Sequence, residues 1–173
     1  MTRLQTVRAV VVVVVALVLL VGSALPVFAQ EDECQPSEMY LPAGYACAGF
    51  DLQIIIGCDG HRVDRTFTDK DGNVRSLSAG TGTSLTFTNV STGKNLSTKS
   101  NGSVFHTTNN SDGSQTTVAT GHNVIILFPT DVPAGPSTTL YVGRVTYTVD
   151  VNGTWTVLKT SGTSLDICAA LSD

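Results

Sequence analysis

Short turn signals divide most of the chain into β-rich runs. Each signal joins glycine to aspartate, asparagine or a small polar residue, and they lie at 59–60, 71–73, 91–93, 101–102, 111–113 and 152–153. Asp-Gly and Asn-Gly favour tight hairpins because both central positions tolerate a positive φ angle. No run of ten or more residues after the N-terminal segment shows a helical period. The pattern predicts an all-β protein, an antiparallel meander of about 9–10 strands that forms a β-barrel or a two-sheet β-sandwich.

The N-terminal residues predict a signal peptide. Two arginines precede an apolar run from Ala9 to Val21, and a small-residue cleavage site follows. This order is typical of secretory signals, and the run is shorter than the roughly 20 residues of a membrane-spanning helix. An uncleaved membrane anchor is the alternative. The predicted organisation is a signal peptide at 1–29, a loosely structured, disulfide-tethered N-terminal segment at 30–48 and a single all-β domain at 49–173.

Composition narrows the partners of the mature chain. Cleavage after residue 29 leaves 144 residues with 8 basic and 14 acidic side chains, a net charge of −6. Because no basic cluster remains, nucleic acid and anionic membranes are poor partners. The mature chain holds 22 threonines and 14 serines among many β-branched residues, which favours strands over disorder.

All four cysteines follow the predicted cleavage site. An even number in an exported chain predicts disulfide bonds. Three pairings are open, and we favour Cys34–Cys47, which would hold the N-terminal segment, with Cys58–Cys168, which would join the first strand to the C-terminus. Their spacing fits no compact zinc motif.

The longest predicted strand, at 139–151, follows a proline-rich connection. Apolar and aromatic residues alternate along the strand, so one of its faces should be buried. Proline fixes φ and lacks an N–H group, so the connection cannot join a sheet interior. We interpret it mainly as a rigid crossover between sheets. Its first residues are kept as a candidate binding loop: Pro129, Thr130, Asp131, Val132 and Pro133.

An aromatic residue lies between two threonines four times, at 66–68, 86–88, 146–148 and 154–156. The simple interpretation is that aromatics face the core and threonines face water. The alternative is a flat threonine face that binds an ordered polysaccharide. The intervening region at 94–120 has few large apolar residues and predicts a pair of hairpins near a sheet edge.

Four segments carry a resemblance to known proteins. They read LPAGYACAGFDLQI, DGNVRSLSAGTGTSLTFTN, TGHNVIILFPTDVPAGPSTTLYVGRVTYTV and DICAALS. They resemble small, exported, four-cysteine proteins of actinobacteria over most of the mature chain. The resemblance implies export and a bacterial origin, and it implies no activity, cofactor or site.

Motifs for catalysis are sparse. His61, His106 and His122 lie in different predicted strands and could converge on a metal ion, yet no H-x-H or H-x-x-x-H spacing exists. The DKDGN stretch at 69–73 has alternate oxygen ligands but lacks the later glutamate of a calcium loop, so a hairpin turn is the better interpretation. No G-x-S-x-G motif is present, and disulfide bonds would remove a cysteine nucleophile.

These observations predict a secreted, extracellular protein that acts by binding or as part of the cell exterior rather than as an enzyme. No cofactor is expected. The partners considered are an extracellular polysaccharide, a small apolar ligand and a protein. Two alternatives stay open: a small extracellular hydrolase or metal enzyme that uses the histidines, and an inhibitor of secreted proteases that presents the proline-rich loop.

Overall fold

A computed structural model describes residues 34–99 and 101–172, so the predicted signal peptide lies outside the described residues. Within these described residues, the secondary structure is ten strands followed by one short helix. The strands are β1 (Ser37–Leu41), β2 (Leu52–Ile56), β3 (His61–Thr68), β4 (Val74–Thr81), β5 (Leu85–Asn89), β6 (Asn95–Thr98), β7 (Gly102–Asn109), β8 (Gln115–Leu127), β9 (Ser137–Val149) and β10 (Trp155–Asp166), and the helix is α1 (Ile167–Leu171).

The predicted all-β, antiparallel fold is confirmed. A four-stranded sheet has the order β1-β2-β5-β6, and a six-stranded sheet has the order β10-β9-β8-β7-β4-β3. Within the described chain the six-stranded sheet is open, because its edge strands β10 and β3 do not pair with each other. Of the two predicted architectures, the two-sheet sandwich is therefore the one that forms.

Four of the six predicted turns close hairpins between neighbouring strands, namely β3–β4, β5–β6, β7–β8 and β9–β10. The other two predictions were wrong, because Asp59-Gly60 and Asn101-Gly102 each join strands of different sheets. A third crossover, from β4 to β5, contacts the first: the Asp59 carboxylate accepts from the Ser84 backbone N–H at 2.7 Å. The turn chemistry is present at both places, but tertiary contacts decide which strand comes next.

The N-terminal segment is part of the small sheet, contrary to the loose structure predicted for 30–48. β1 pairs with β2 along its whole length, from Ser37 opposite Ile56 to Leu41 opposite Leu52. Just after it, Ala46 and Cys47 are buried in the core.

The disulfide pairing differs from the favoured one. The bonds are Cys34–Cys58 and Cys47–Cys168, with Cα–Cα distances of 5.8 and 5.5 Å. The antiparallel ladder that sets Ser37 opposite Ile56 brings Cys34 beside Cys58. Cys47 is then left to meet Cys168 in α1, against the buried core. The favoured pairing is wrong because it treats the N-terminal segment as irregular, whereas β1 pairs with β2.

One core lies between the small sheet and the part of the large sheet where β8 ends and β9 begins. Its buried members are Ala46, Cys47, Phe50, Leu52, Ile54, Phe87, Ile167 and Leu171. Val124, Ile126 and Leu140 of the large sheet pack against it. Asn89 donates from its side chain to the carbonyl of Leu171 at 3.1 Å, which fixes α1 on the small sheet.

A row of glycines crosses the large sheet. Gly80, Ser103, Gly121, Gly143 and Gly162 lie in register on five adjacent strands. The four glycines have φ angles between 94° and 149°, and a Cβ atom on any of them would collide with a carbonyl of the neighbouring strand. Only glycine fits such a conformation at such a close approach, and in a strand it marks a sharp bend.

The loop after β8 shows how strong this bend is. The Trp155 backbone N–H donates to the Asp131 carboxylate at 2.9 Å, although Trp155 lies at the same level of the sheet as Gln115. The loop begins at the other end of β8, twelve residues from Gln115, which is about 40 Å in a straight strand. The large sheet therefore curls until the β8–β9 loop reaches the start of β10.

The second core fills the concave side of the curled sheet. Ala119, Ile125, Leu127, Val145 and Tyr147 are buried there, and Phe105, Tyr141, Val149, Trp155 and Val157 pack against them. The predicted alternation along β9 holds, since Val145 and Tyr147 are buried and Arg144 is exposed. The prediction of edge hairpins at 94–120 was wrong for β7 and β8, which are interior strands, and right only for β6, which is an edge strand.

Within residues 34–99 and 101–172, no helix is long and apolar enough to cross a membrane.

Candidate functional site

A cavity of about 620 Å³ opens at the bend of the large sheet. The β7–β8 ladder ends at Ser103 opposite Gly121, so the C-terminal half of β8 has a strand partner only on the β9 side. The chain leaves β7 for the small sheet at this point, and the space beside the open edge of β8 becomes the cavity. Its size lies within the usual range for small-molecule sites.

Asn123 is the most unusual residue of the cavity wall. Asn123 is 5% exposed, and neither its amide nitrogen nor its amide oxygen has a hydrogen-bond partner among residues 34–99 and 101–172. Buried polar side chains almost always have a partner, and an unsatisfied one costs roughly 1–3 kcal/mol. No other side chain of the described residues is buried in this unsatisfied way. The amide donors and the amide acceptor of Asn123, a residue of the cavity wall, are therefore unused within the described part of the chain.

Arg62 supplies a fixed positive charge at the same cavity. Its guanidinium donates from Nε to Ser78 at 2.9 Å and from Nη1 to Ser103 at 2.7 Å. A further bond from Nη2 reaches the Ser78 carbonyl, and the group lies 4.6 Å from the centre of the Phe105 ring. These contacts hold the side chain through hydroxyls, a carbonyl and a cation–π contact. In the described part of the chain no carboxylate forms an ion pair with it.

Aromatic rings form the apolar wall opposite these polar groups. Tyr147 and Trp155 stack with their centroids 4.5 Å apart and their planes 18° from parallel, and both line the cavity. Burial raises the pKa of the Tyr147 phenol above its ordinary value of 10.0, against the opposing effect of its hydrogen bond with Thr117. The phenol is therefore neutral at physiological pH.

The candidate binding loop lies behind this wall. Asp131 is 4% exposed and accepts from the backbone N–H groups of Phe128 at 2.6 Å and Trp155 at 2.9 Å. Val132 donates its N–H to the Trp155 carbonyl at 2.8 Å, while its side chain is half exposed. Pro129 and Thr130 are exposed, and the bonds from Val132 to Pro133 and from Gly135 to Pro136 are cis.

The loop connects paired neighbours rather than different sheets, so its interpretation as a crossover was wrong. β8 and β9 are antiparallel partners down to Leu127 opposite Ser137. Because Asp131 and Val132 bind the main chain of Trp155, the loop holds the aromatic wall in place. None of the five predicted loop residues lines the cavity.

The three histidines do not gather into a metal site. Among the described residues, no group of three or more histidine, cysteine, aspartate or glutamate side chains is placed to hold a metal ion. His61, His106 and His122 are all exposed, and His122 alone lines the cavity. All four cysteines are in disulfides, so none is available as a nucleophile.

The aspartates in turns and crossovers serve the backbone. This group, called here the turn aspartates, is Asp59, Asp69, Asp112 and Asp150. Hydrogen bonds from backbone N–H groups or a serine hydroxyl hold the pKa of each below the ordinary value of 3.8. In the DKDGN stretch, Asp69 accepts from the backbone N–H of Asn73 and forms an ion pair with Arg75 at 2.7 Å. These contacts agree with the interpretation of the stretch as a hairpin turn.

The threonine repeats do not form one face. The repeat at 86–88 lies in the small sheet, whereas the other three lie at or beside strands of the large sheet. Phe87 and Tyr147 are buried, but Phe67 on the edge strand is 49% exposed, so the aromatic-in pattern fails there. A different set is in register across four strands of the large sheet: Thr108, Thr116, Thr148 and Thr156.

Sequence reasoning did not identify Arg62 or Asn123 as site residues. Neither belongs to a local motif, and they lie 61 positions apart in the printed chain. A usable signal was the glycine inside each long strand, at 121, 143 and 162, because an isolated strand glycine indicates a bulge or a bend. A cavity at such a bend follows only once the strand order is known.

Comparison with known proteins gives no relative: no family model matches the chain, and neither does any curated protein or solved structure. The fold and site define an all-β sandwich with two disulfides and a cavity of small-molecule size at a bent sheet. Two disulfides indicate an oxidising environment.

Proposed function

We propose that this protein is secreted from its cell and binds a small molecule in the cavity at the bend of the large sheet, without catalysing a reaction. The predicted signal peptide and the two disulfides support secretion, since disulfides persist in oxidising compartments. The resemblance to exported actinobacterial proteins agrees with this location.

The observation that carries the proposal is the unpartnered amide of Asn123. An asparagine at a buried position that gives it no partner lowers the stability of the fold, whereas leucine of the same branching would not. A ligand that accepts from and donates to this amide gives the residue a use. The wall around it combines aromatic rings with a few convergent polar groups, which is the usual composition of a small-molecule site.

A fragment screen on ¹⁵N-labelled protein tests binding in the cavity. The library should contain anionic, cationic and neutral fragments of similar size. We expect some of them to shift the side-chain amide signals of Asn123 and the indole signal of Trp155. If no class of fragment perturbs these signals, the proposed function is wrong. Repeating the screen on Asn123→Leu should remove the responses while leaving the spectrum of the small sheet unchanged.

The inhibitor alternative can be tested separately. A loop that inhibits a protease by binding in its cleft presents an extended main chain. Here the main chain of Val132 is already bonded to β10 and Asp131 is buried, so the geometry favours the cavity. Titration against a panel of secreted serine proteases should give no inhibition. Stoichiometric inhibition of any of them would favour the inhibitor alternative over binding in the cavity.

A further inference from the structure

The described residues that line the cavity include cationic side chains but no carboxylate, and this narrows the chemical class of its ligand. Resting on the proposed function, we propose that the cavity takes a small organic carboxylate with a flat or apolar body. Arg62 and Asn123 would bind the carboxylate, and the ring wall of Phe105, Tyr147 and Trp155 would cover the body.

The first argument is the charge at the site. Two of the residues that line the cavity are cationic, Arg62 and the exposed Lys99, and no aspartate or glutamate is among its described lining residues. This contrasts with the chain as a whole, whose net charge is −4. A cavity with one sign of charge in a protein of the opposite sign selects ligands by that charge. The cavity therefore favours anions over cations.

The second argument is the geometry of Arg62. Its three protein hydrogen bonds use Nε and one N–H each of Nη1 and Nη2. Since a guanidinium has five N–H donors, one remains on each terminal nitrogen. A carboxylate has two oxygens that can accept from these two donors, and its hydrogen bonds with arginine are charge-assisted. The Ser78 and Ser103 contacts hold the group in place before a ligand arrives.

The third argument separates a carboxylate with an apolar body from a bare inorganic anion. Ile125, Val124 and Leu140 line the cavity beside the three aromatic residues, so most of the wall offers no hydrogen bond. A small hydrated anion would leave this wall empty. A body of the size of a phenyl ring or a short acyl chain would fill it, and the Asn123 amide would donate to a second lone pair of a carboxylate oxygen or bind a substituent hydroxyl.

Trp155 provides the assay, because it is the only tryptophan in the chain and lines the cavity. The probes are matched pairs that differ only in charge: phenylacetate with phenylacetamide, and octanoate with octanamide. Acetate serves as the carboxylate without a body, and glucose as a neutral polar ring. We expect each carboxylate to change the fluorescence of Trp155 and to bind at least about tenfold more tightly than its amide. Acetate and glucose should bind at least about tenfold more weakly than phenylacetate.

Variants assign the charge effect to one residue. Arg62→Met should remove the preference for carboxylate over amide, while Arg62→Lys should keep part of it. Arg144→Met removes the same charge from an exposed position outside the cavity and should leave the preference intact. Urea unfolding of each variant checks that it folds.

Each outcome separates this inference from the proposed function. If amides bind as tightly as carboxylates, or if the preference survives in a folded Arg62→Met protein, the carboxylate class is wrong although the cavity still binds ligands. If the matched probes fail but neutral or cationic fragments shift Asn123, the class is again wrong. If no fragment of any class shifts Asn123, both proposals fail.

Discussion

Replacing Asn123 by leucine should make the protein more stable. The asparagine is 5% exposed, and its amide donor and acceptor have no partner in the part of the chain that the structure describes. Leucine has the same branching at Cγ but no polar atoms. Position 123 lines a cavity, so there is room for the leucine side chain. Removing an unsatisfied buried amide should raise the free energy of unfolding by about 1–3 kcal/mol. For a domain of this size, that corresponds to a rise in Tm of about 3–10 °C.

The chain contains a matched control. Asn89 is 3% exposed, but its side chain donates to the Leu171 carbonyl at 3.1 Å and accepts from the Ser91 N–H at 3.0 Å. Asn89→Leu leaves those groups without partners and should lower the free energy of unfolding by about 1–3 kcal/mol. Two chemically identical substitutions at buried sites should therefore have opposite signs.

Urea denaturation monitored by far-UV circular dichroism measures both effects without relying on Trp155, whose surroundings change in the Asn123 variant. The midpoint should rise for Asn123→Leu and fall for Asn89→Leu at an unchanged m-value. A loss of more than about 1 kcal/mol in Asn123→Leu would show that Asn123 is already satisfied in the folded protein. The argument for a ligand at this position would then fail.

Three further predictions follow from the same structure. Asp131→Ala should lower the free energy of unfolding by about 2–4 kcal/mol in urea denaturation, because two backbone N–H groups lose a charged acceptor, whereas the exposed Thr130→Ala should change it by less than about 0.5 kcal/mol. Replacing Cys47 and Cys168 together by alanine should lower the free energy of unfolding by about 3–5 kcal/mol, since their bond closes a loop of 121 residues. A non-reducing peptide map of the natural chain that lacks the Cys47–Cys168 crosslink would refute the pairing. Stability should fall in acid, because the turn aspartates have lower pKa values in the folded chain than in the unfolded one. Their contribution to stability is complete above pH 3.8 and is lost as the pH falls through the folded pKa values. A urea midpoint that does not decrease between about pH 5 and pH 2.5 would contradict this.

Local sequence signals predicted the strands better than their partners. Alternation and turn residues identified an antiparallel all-β chain, because both act over a few neighbouring residues. The Asp59-Gly60 turn looks like the Asp71-Gly72 turn, yet the first joins two sheets and the second closes a hairpin. The difference lies in a contact with Ser84, 25 residues away, which no local pattern contains.

The disulfides and the site failed to emerge from the sequence for the same reason. Cys34 meets Cys58 only because β1 pairs with β2, and no local pattern contains that pairing. Arg62 and Asn123 share a cavity only because the glycine row bends the large sheet. The composition of the proline-rich loop suggested a binding loop, but the loop holds the main chain of Trp155 in place.

The most direct test of the account is an intermolecular NOE measurement on the labelled protein saturated with phenylacetate. The account predicts contacts from the phenyl protons to the Trp155 indole and to the side-chain amide protons of Asn123. Contacts found only with residues outside the cavity, while phenylacetate is demonstrably bound, would contradict the claim that this cavity is the binding site.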